Sequence, residues 1–443
     1  MEALLMLACM QTEGGAVDRP RPRPGLQPDD SAATLAFDGV RRAAWDKADG
    51  IDVEWEPASG GSGPLTYTLR VARDTDVIAE LESSGTRGSV QGLADGLYEV
   101  SVEAADSDGN ADDGSVRLSL WVGRNRLQER GTVSLSGVAD VWGQGTTVVV
   151  AGYETGRSLF VVDARDPDDP QVIEEIWGEG YVKDVKIGDG LLFSNDESGT
   201  YGARVWDFED PSSPRLLARI GSPSRSVHNL SYGDGHLYAS NNDTDGMDVW
   251  NVEDPENPVR VDHYDPPWSF VHDQAWVDGK VYVAWWGGFT ILDATDPSDL
   301  VAEVVHAYSD STSACHNVWP TEDGRHVLTT DEETGGHVRV FDVSDPEDVR
   351  QVGSYRSGDG TVVHNVHVDG DHAFVAYYTE GVRVLDVSDP TSPKEVGSLD
   401  TLARHGEMYG AWGVWPYGEH IAIGDTRNGL ILATFHPPVV RAP

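Results

Sequence analysis

The sequence is short of basic residues, and above all of lysine. Lys and Arg together number 32 against 75 Asp and Glu in 443 residues, a formal net charge of −43. The lysines are Lys47, Lys183, Lys186, Lys280 and Lys394. Such a surface repels a phosphate backbone, which excludes nucleic acid as a partner. The acids are spread along the chain and read as a solvated surface whose self-repulsion salt would screen. Cysteine is scarce as well: Cys9 and Cys315 cannot build a disulfide framework. No apolar run reaches the ~20 residues of a membrane-crossing helix, so a membrane would be met only through a lipid anchor. Long amphipathic helical patterns are missing too, whereas glycine (49) and proline (24) are plentiful. That balance predicts an all-β chain with many turns. Phosphate-binding loops, dinucleotide glycine fingerprints, Gly-x-Ser-x-Gly elbows and His-Glu-x-x-His are all absent.

Residues 1–9 form a short apolar run ending in Ala8-Cys9. It resembles the end of a bacterial lipoprotein signal, in which a small residue precedes a cysteine that becomes lipidated. The basic region expected ahead of such a run is missing, and a start placed further upstream would supply it. The resemblance implies lipidation of Cys9 and export to the bacterial cell surface or outer membrane, or release outside the cell. Residues 10–31 are rich in Pro, Gly and Asp with few apolar side chains, and are expected to be a disordered tether.

Residues 32–123 read as short strands between turn clusters. Ile51–Trp55 and Leu65–Val71 alternate with period two, and a Gly-containing turn leads into Tyr98 and the strand that follows. This segment resembles a fibronectin type III domain, with Trp55 as its core aromatic and Tyr98 as the tyrosine-corner residue. The resemblance implies a spacer or adhesive module.

The remainder repeats. Val161-Val162-Asp163-Ala164-Arg165-Asp166-Pro167 returns at Val205–Pro211, Val249–Pro255, Ile291–Pro297, Val340–Pro346 and Val384–Pro390. Successive copies lie 44, 44, 42, 49 and 44 residues apart, too regular for chance. A second element, strand–Gly turn–strand, precedes each copy and is centred on Asp140, Asp184, Asn229, Asp273, Asn317, Asn365 and Gly413. Each unit is predicted to be four strands, with Asp-Pro turning the third into the fourth. The last unit lacks its fourth strand, and residues 127–136 form an orphan strand ahead of the first. Pairing these two predicts a seven-bladed β-propeller over residues 124–436 whose N-terminal strand closes the final blade and hides its edge. Residues 437–443 are expected to be a tail.

These repeats resemble the LVIVD-repeat propellers. The His-Asn pairs and the closing Trp412-Gly413-Val414-Trp415-Pro416 are most similar to the bacterial surface proteins called choice-of-anchor B. That family name reflects varied attachment to the cell surface, and most members have no assigned chemistry.

Four units begin their first strand with His and an amide or acid: His228-Asn229, His272-Asp273, His316-Asn317 and His364-Asn365. Ala139, Lys183 and Trp412 hold the His position in the others. All should reach one mouth of the central channel, although period-two alternation lets only one residue of each pair face inward. The ends of the second strands bring Asn195-Asp196-Glu197, Asn241-Asn242-Asp243, Asp331-Glu332-Glu333 and Asp425 to the same face. Two readings stay open. The His-Asn pairs are latches between blades around a ligand-binding mouth that takes a protein, carbohydrate or small molecule. Alternatively His228, His272, His316 and His364 with Asp331 and Glu332 hold a divalent metal ion in an oxidase or hydrolase. Cys315 reads as a small buried hydrophobe, and Trp206, Trp250, Trp276, Trp285, Trp286 and Trp319 as packing between blades. A monomeric binding or scaffold protein is the expected function.

Overall fold

The computed structural model describes residues 34–441 apart from 46–48, 124–125, 154–156, 179, 199–201, 222–225, 243–245, 268–269, 310–313 and 403–406. Cys9, the lipoprotein-like run, the tether and Asp243 lie outside the described residues. The described chain is all β, with every sheet antiparallel and no helix.

The N-terminal part is two facing sheets. One orders Val439–Arg441, Val40–Trp45, Ile51–Trp55 and Arg87–Val90. The other holds Asp76–Ser83, Thr66–Arg73 and Gly96–Ala105, with Ala111–Asp112 and Leu118–Val122 both paired to the last. The alternation read in the sequence puts Trp55, Leu69, Val71, Val100 and Leu120 into one buried core. The Tyr98 hydroxyl donates to Ala94 O at 2.9 Å.

The C-terminal segment differs from the tail expected of it. Val439–Arg441 pairs with Arg42–Ala44, and Val440 packs on the N-terminal core. An edge strand with an open row of backbone groups accepts such a partner readily. Arg126 secures the return, its Nη1 donating to His436 O (3.1 Å) and Pro437 O (3.2 Å) while its guanidinium lies 4.4 Å over Trp45. Burial pushes the Arg126 guanidinium down to about 10.

The rest of the described chain folds into seven four-stranded sheets. Their innermost strands are Val138–Gln144, Val185–Gly188, Val227–Gly233, Val271–Val277, Cys315–Pro320, Val366–Asp369 and Ala411–Tyr417. Each packs against the next, and the last packs against the first, so the ring is closed. Leu127–Val133 pairs with Gly429–Phe435 and supplies the outer strand of the last sheet.

Turn chemistry sets the spacing. Between first and second strands, Asp189-Gly190, Asp234-Gly235 and Asp278-Gly279 all take positive φ, the geometry that two-residue hairpin turns demand. At the Asp-Pro turns the Asp side chain accepts the amide two residues on, as in Asp210 Oδ1 from Ser212 N at 3.0 Å and Asp296 Oδ1 from Ser298 N at 3.0 Å. Between sheets, Gly233 leaves room for Trp276, because a Cβ there would overlap the indole.

Candidate functional site at the channel mouth

The site begins with a β-bulge. In at least five sheets the innermost strand holds one extra residue at its start, between Val138 and Val141, Val227 and Leu230, Val271 and Asp273, Cys315 and Asn317, and Ala411 and Gly413. A bulge breaks the alternation of side chains and re-aims one of them. Both members of a His-Asn pair therefore face the channel, contrary to the expectation of one per pair. His228 with Asn229, His364 with Asn365, and Lys183 with Asp184 line one small cavity of about 20 Å³, together with His272, His316, Asp140 and Trp412.

The channel is layered. In the outer layer, ring centroids run His228–His272 4.4 Å, His272–His316 4.1 Å, His316–His364 4.2 Å and His364–Trp412 4.7 Å. Lys183 Nζ lies 5.8 Å from the Trp412 ring and pairs with Glu197 at 2.6 Å, and Glu197 bonds His228 Nδ1. The arc of imidazoles is thereby closed by an ion pair.

The middle layer is Asp140, Asp184, Asn229, Asp273, Asn317, Asn365 and Gly413. Lys186 donates to Asp184 and to Asp140 Oδ2 (3.4 Å), and Asn317 donates to Asp273 at 2.6 Å. Burial, only partly countered by its Asn317 bond, raises the Asp273 carboxyl to about 6.

The floor is aromatic. Trp142 stacks on Trp415 at 3.4 Å, and His367 packs against Trp319 (4.4 Å) and Trp415 (4.8 Å). These residues lie three positions beyond the His position of their units, a spacing that could have been read once the bulge was known. Trp319 thus lies in the floor of the channel and also packs on the core between two neighbouring sheets, as expected. Trp286 is 38% exposed at the rim, 5.4 Å from the His272 ring. Trp206 and Trp250 join inter-sheet cores as expected.

Backbone carbonyls of neighbouring sheets orient the imidazoles. His272 Nδ1 donates to His316 O at 3.0 Å, and His364 Nδ1 donates to Trp412 O at 2.7 Å. Those bonds leave Nε2 of each neutral ring as a lone pair. His228 Nε2 lies 3.0 Å from His272 Nε2. Glu332 Oε2 lies 3.5 Å from His316 Nε2, its Oε1 lies 4.0 Å from His364 Nε2, and Tyr378 donates to Oε1. Burial holds His272 and His316 well below the ordinary imidazole range, reinforced by neighbouring rings, and takes His364 down to about 3. Burial also raises Glu332, against the Tyr378 bond. Burial would raise Glu197 too, yet His228 and Lys183 bring it to about 2.

Other expected site residues fall elsewhere. Asp331 turns away from the mouth, because Arg339 Nε captures its Oδ2 at 2.6 Å. Asp425 accepts the amides of Arg427 and Asn428 in its own turn. Asn195 is a latch, taking the Lys183 and Asp184 amides and donating to Val227 O and His228 O. Cys315 is fully buried, and burial pushes its thiol up, as befits a packing residue. Nothing in the repeat marks Tyr378 in the sequence.

This architecture is that of a β-propeller-type repeat protein. The LVIVD repeat matches this chain at residues 274–304 and 360–401. Solved structures of similar fold include U3-55K, at 12% identity and TM-score 0.55, covering 71% of this chain and 100% of that one. Another is the RRP9 WD40 repeats, at 12% identity and TM-score 0.56, covering 70% and 97%. The computationally designed Ika8 protein is 13% identical with TM-score 0.50, covering 70% and 99%. At these identities the likeness is one of fold. Among curated protein sequences none matches the chain.

Proposed function

We propose that this chain is an exported, surface-anchored binding or scaffold protein of the choice-of-anchor B kind, in which the seven sheets are the blades of a seven-bladed propeller. Residues 32–123, joined by Val439–Arg441, are then a fibronectin type III-like spacer, a reading supported by the two facing sheets, buried Trp55 and the Tyr98–Ala94 bond. Cys9 is the lipidation site and residues 10–31 the tether, on the sequence resemblance alone. The ligand, a protein, carbohydrate or small molecule, is taken by the loop face at the channel mouth.

The observation that carries this reading is the rim. Tyr181, Trp286 and Met408 stand exposed on the connections that surround the mouth, on a chain of strongly acidic composition. Aromatic and methionine side chains around a polar recess are the usual make-up of a recognition patch. Glycan and peptide arrays probed with the wild type and with a Tyr181→Ala/Trp286→Ala variant test it. Ligands bound by the wild type should be lost from the variant. A variant that keeps every ligand would move recognition off this face.

A further inference from the structure

Around the mouth, ring nitrogens and a carboxylate oxygen converge at short range. Carbonyl acceptors fix the Nδ1 protons of His272 and His364, so both Nε2 atoms are bare. His272 Nε2 meets His228 Nε2 at 3.0 Å, and His316 Nε2 meets a Glu332 oxygen at 3.5 Å. Donor atoms of His272, His316 and Glu332 all lie within 4.8 Å of one another, with both rings buried and the carboxylate partly so. His316 Nδ1 is buried and makes no hydrogen bond of good geometry, its nearest polar partner being the His364 backbone. Facing donor atoms repel unless a proton or a cation lies between them.

We propose that His272, His316 and a Glu332 carboxylate oxygen form a binding site for one divalent first-row transition metal ion. Two imidazoles and a carboxylate are a ligand set that such ions favour over Ca²⁺ or Mg²⁺, which prefer all-oxygen shells. The surroundings are those of a metal site. His272 donates its other nitrogen to a backbone carbonyl and Glu332 accepts from Tyr378, the outer contacts that orient ligands and keep imidazoles in the binding form. His228 and His364 flank the three ligands and can complete a fourth position. The cavity of about 20 Å³ suits a single ion or a water, not an organic group. The inference is independent of which macromolecule or small molecule the rim recognises.

The test uses the full chain, stripped with chelator and titrated with Zn²⁺ and, for its visible spectrum, Co²⁺. One ion per chain is expected, with Co²⁺ absorption bands of a nitrogen/oxygen site. Glu332→Gln, close in shape to the wild type, and His272→Ala should each weaken binding by at least tenfold, while His236→Ala, on an outlying hairpin, should leave it unchanged. Circular dichroism and thermal melts establish that each variant is folded. If the folded wild type takes up neither ion in stoichiometric amount, the facing nitrogens share protons only and the proposal fails. It fails equally if folded His272→Ala and Glu332→Gln both bind like the wild type.

Discussion

Among the described residues Lys186 is the one cation in the middle layer of the channel, and replacing it by methionine should destabilise the ring strongly at neutral pH. Its ammonium bonds Asp184, Asp140 Oδ2 (3.4 Å) and Val185 O (3.1 Å), and lies 4.8 Å from the Trp142 ring. All three charged residues are buried. Removing one partner of a buried ion network typically costs about 3–5 kcal/mol, because a charge is left uncompensated. For a domain of this size that is a fall in Tm on the order of 10 °C. The pH dependence follows from Asp140, which burial raises well above the ordinary carboxylate range even while Lys186 opposes the shift. A carboxyl raised in the folded state contributes stability below its unfolded pKa and loses it as pH rises through the folded value. Without Lys186 the folded value climbs further, so the loss at neutral pH deepens. The Lys186→Met deficit, measured from denaturant midpoints and thermal melts, should therefore be larger at pH 8 than at pH 5. A Asp140→Asn/Lys186→Met double variant should recover much of it. A deficit below ~1 kcal/mol, or one equal at both pH values, would refute the electrostatic account of the middle layer.

Gly413→Ala should cost about 1–3 kcal/mol, since a Cβ there would lie 2.9 Å from Asp140 Cα and against its carboxylate; an unchanged thermal melt would mean that the first and last sheets are free to part. Deleting residues 127–133 should expose the edge of Gly429–Phe435 and shift the protein to aggregates on size-exclusion chromatography. A monodisperse deletion variant would show that the ring does not depend on its borrowed strand.

What the sequence disclosed was governed by periodicity. Asp-Pro turns every 42 to 49 residues, seven first-strand elements and the orphan strand at Leu127 carry enough information to count the sheets, because turn chemistry is local. What it hid was non-local or broke the period. The bulges add a residue where strict alternation would exclude one, so the inward-facing partners of the histidines could not be assigned. The return of Val439–Arg441 to Arg42–Ala44 joins residues some 400 positions apart, and a three-residue strand has no pattern of its own. Asp331 and Glu332 are neighbours of the same type, and only the position of Arg339 sends one to the protein interior and the other to the mouth.

Latch and site, the two readings of the His-Asn pairs, coincide in one arrangement. In the sheet of His272 the bulge brings Nδ1 against a carbonyl of the next sheet, and His364 Nδ1 makes the equivalent bond, so that each ties neighbouring sheets together. The same bond fixes the tautomer and leaves Nε2 bare at the mouth. A histidine used only as a latch could be replaced by a residue that donates from the same place and keeps no second nitrogen, such as asparagine. His272→Asn separates the two roles: the latch requires the melt to stay near wild type, and the site requires Co²⁺ binding to fall. A variant that loses both equally would tie the ring's stability to the open nitrogen itself.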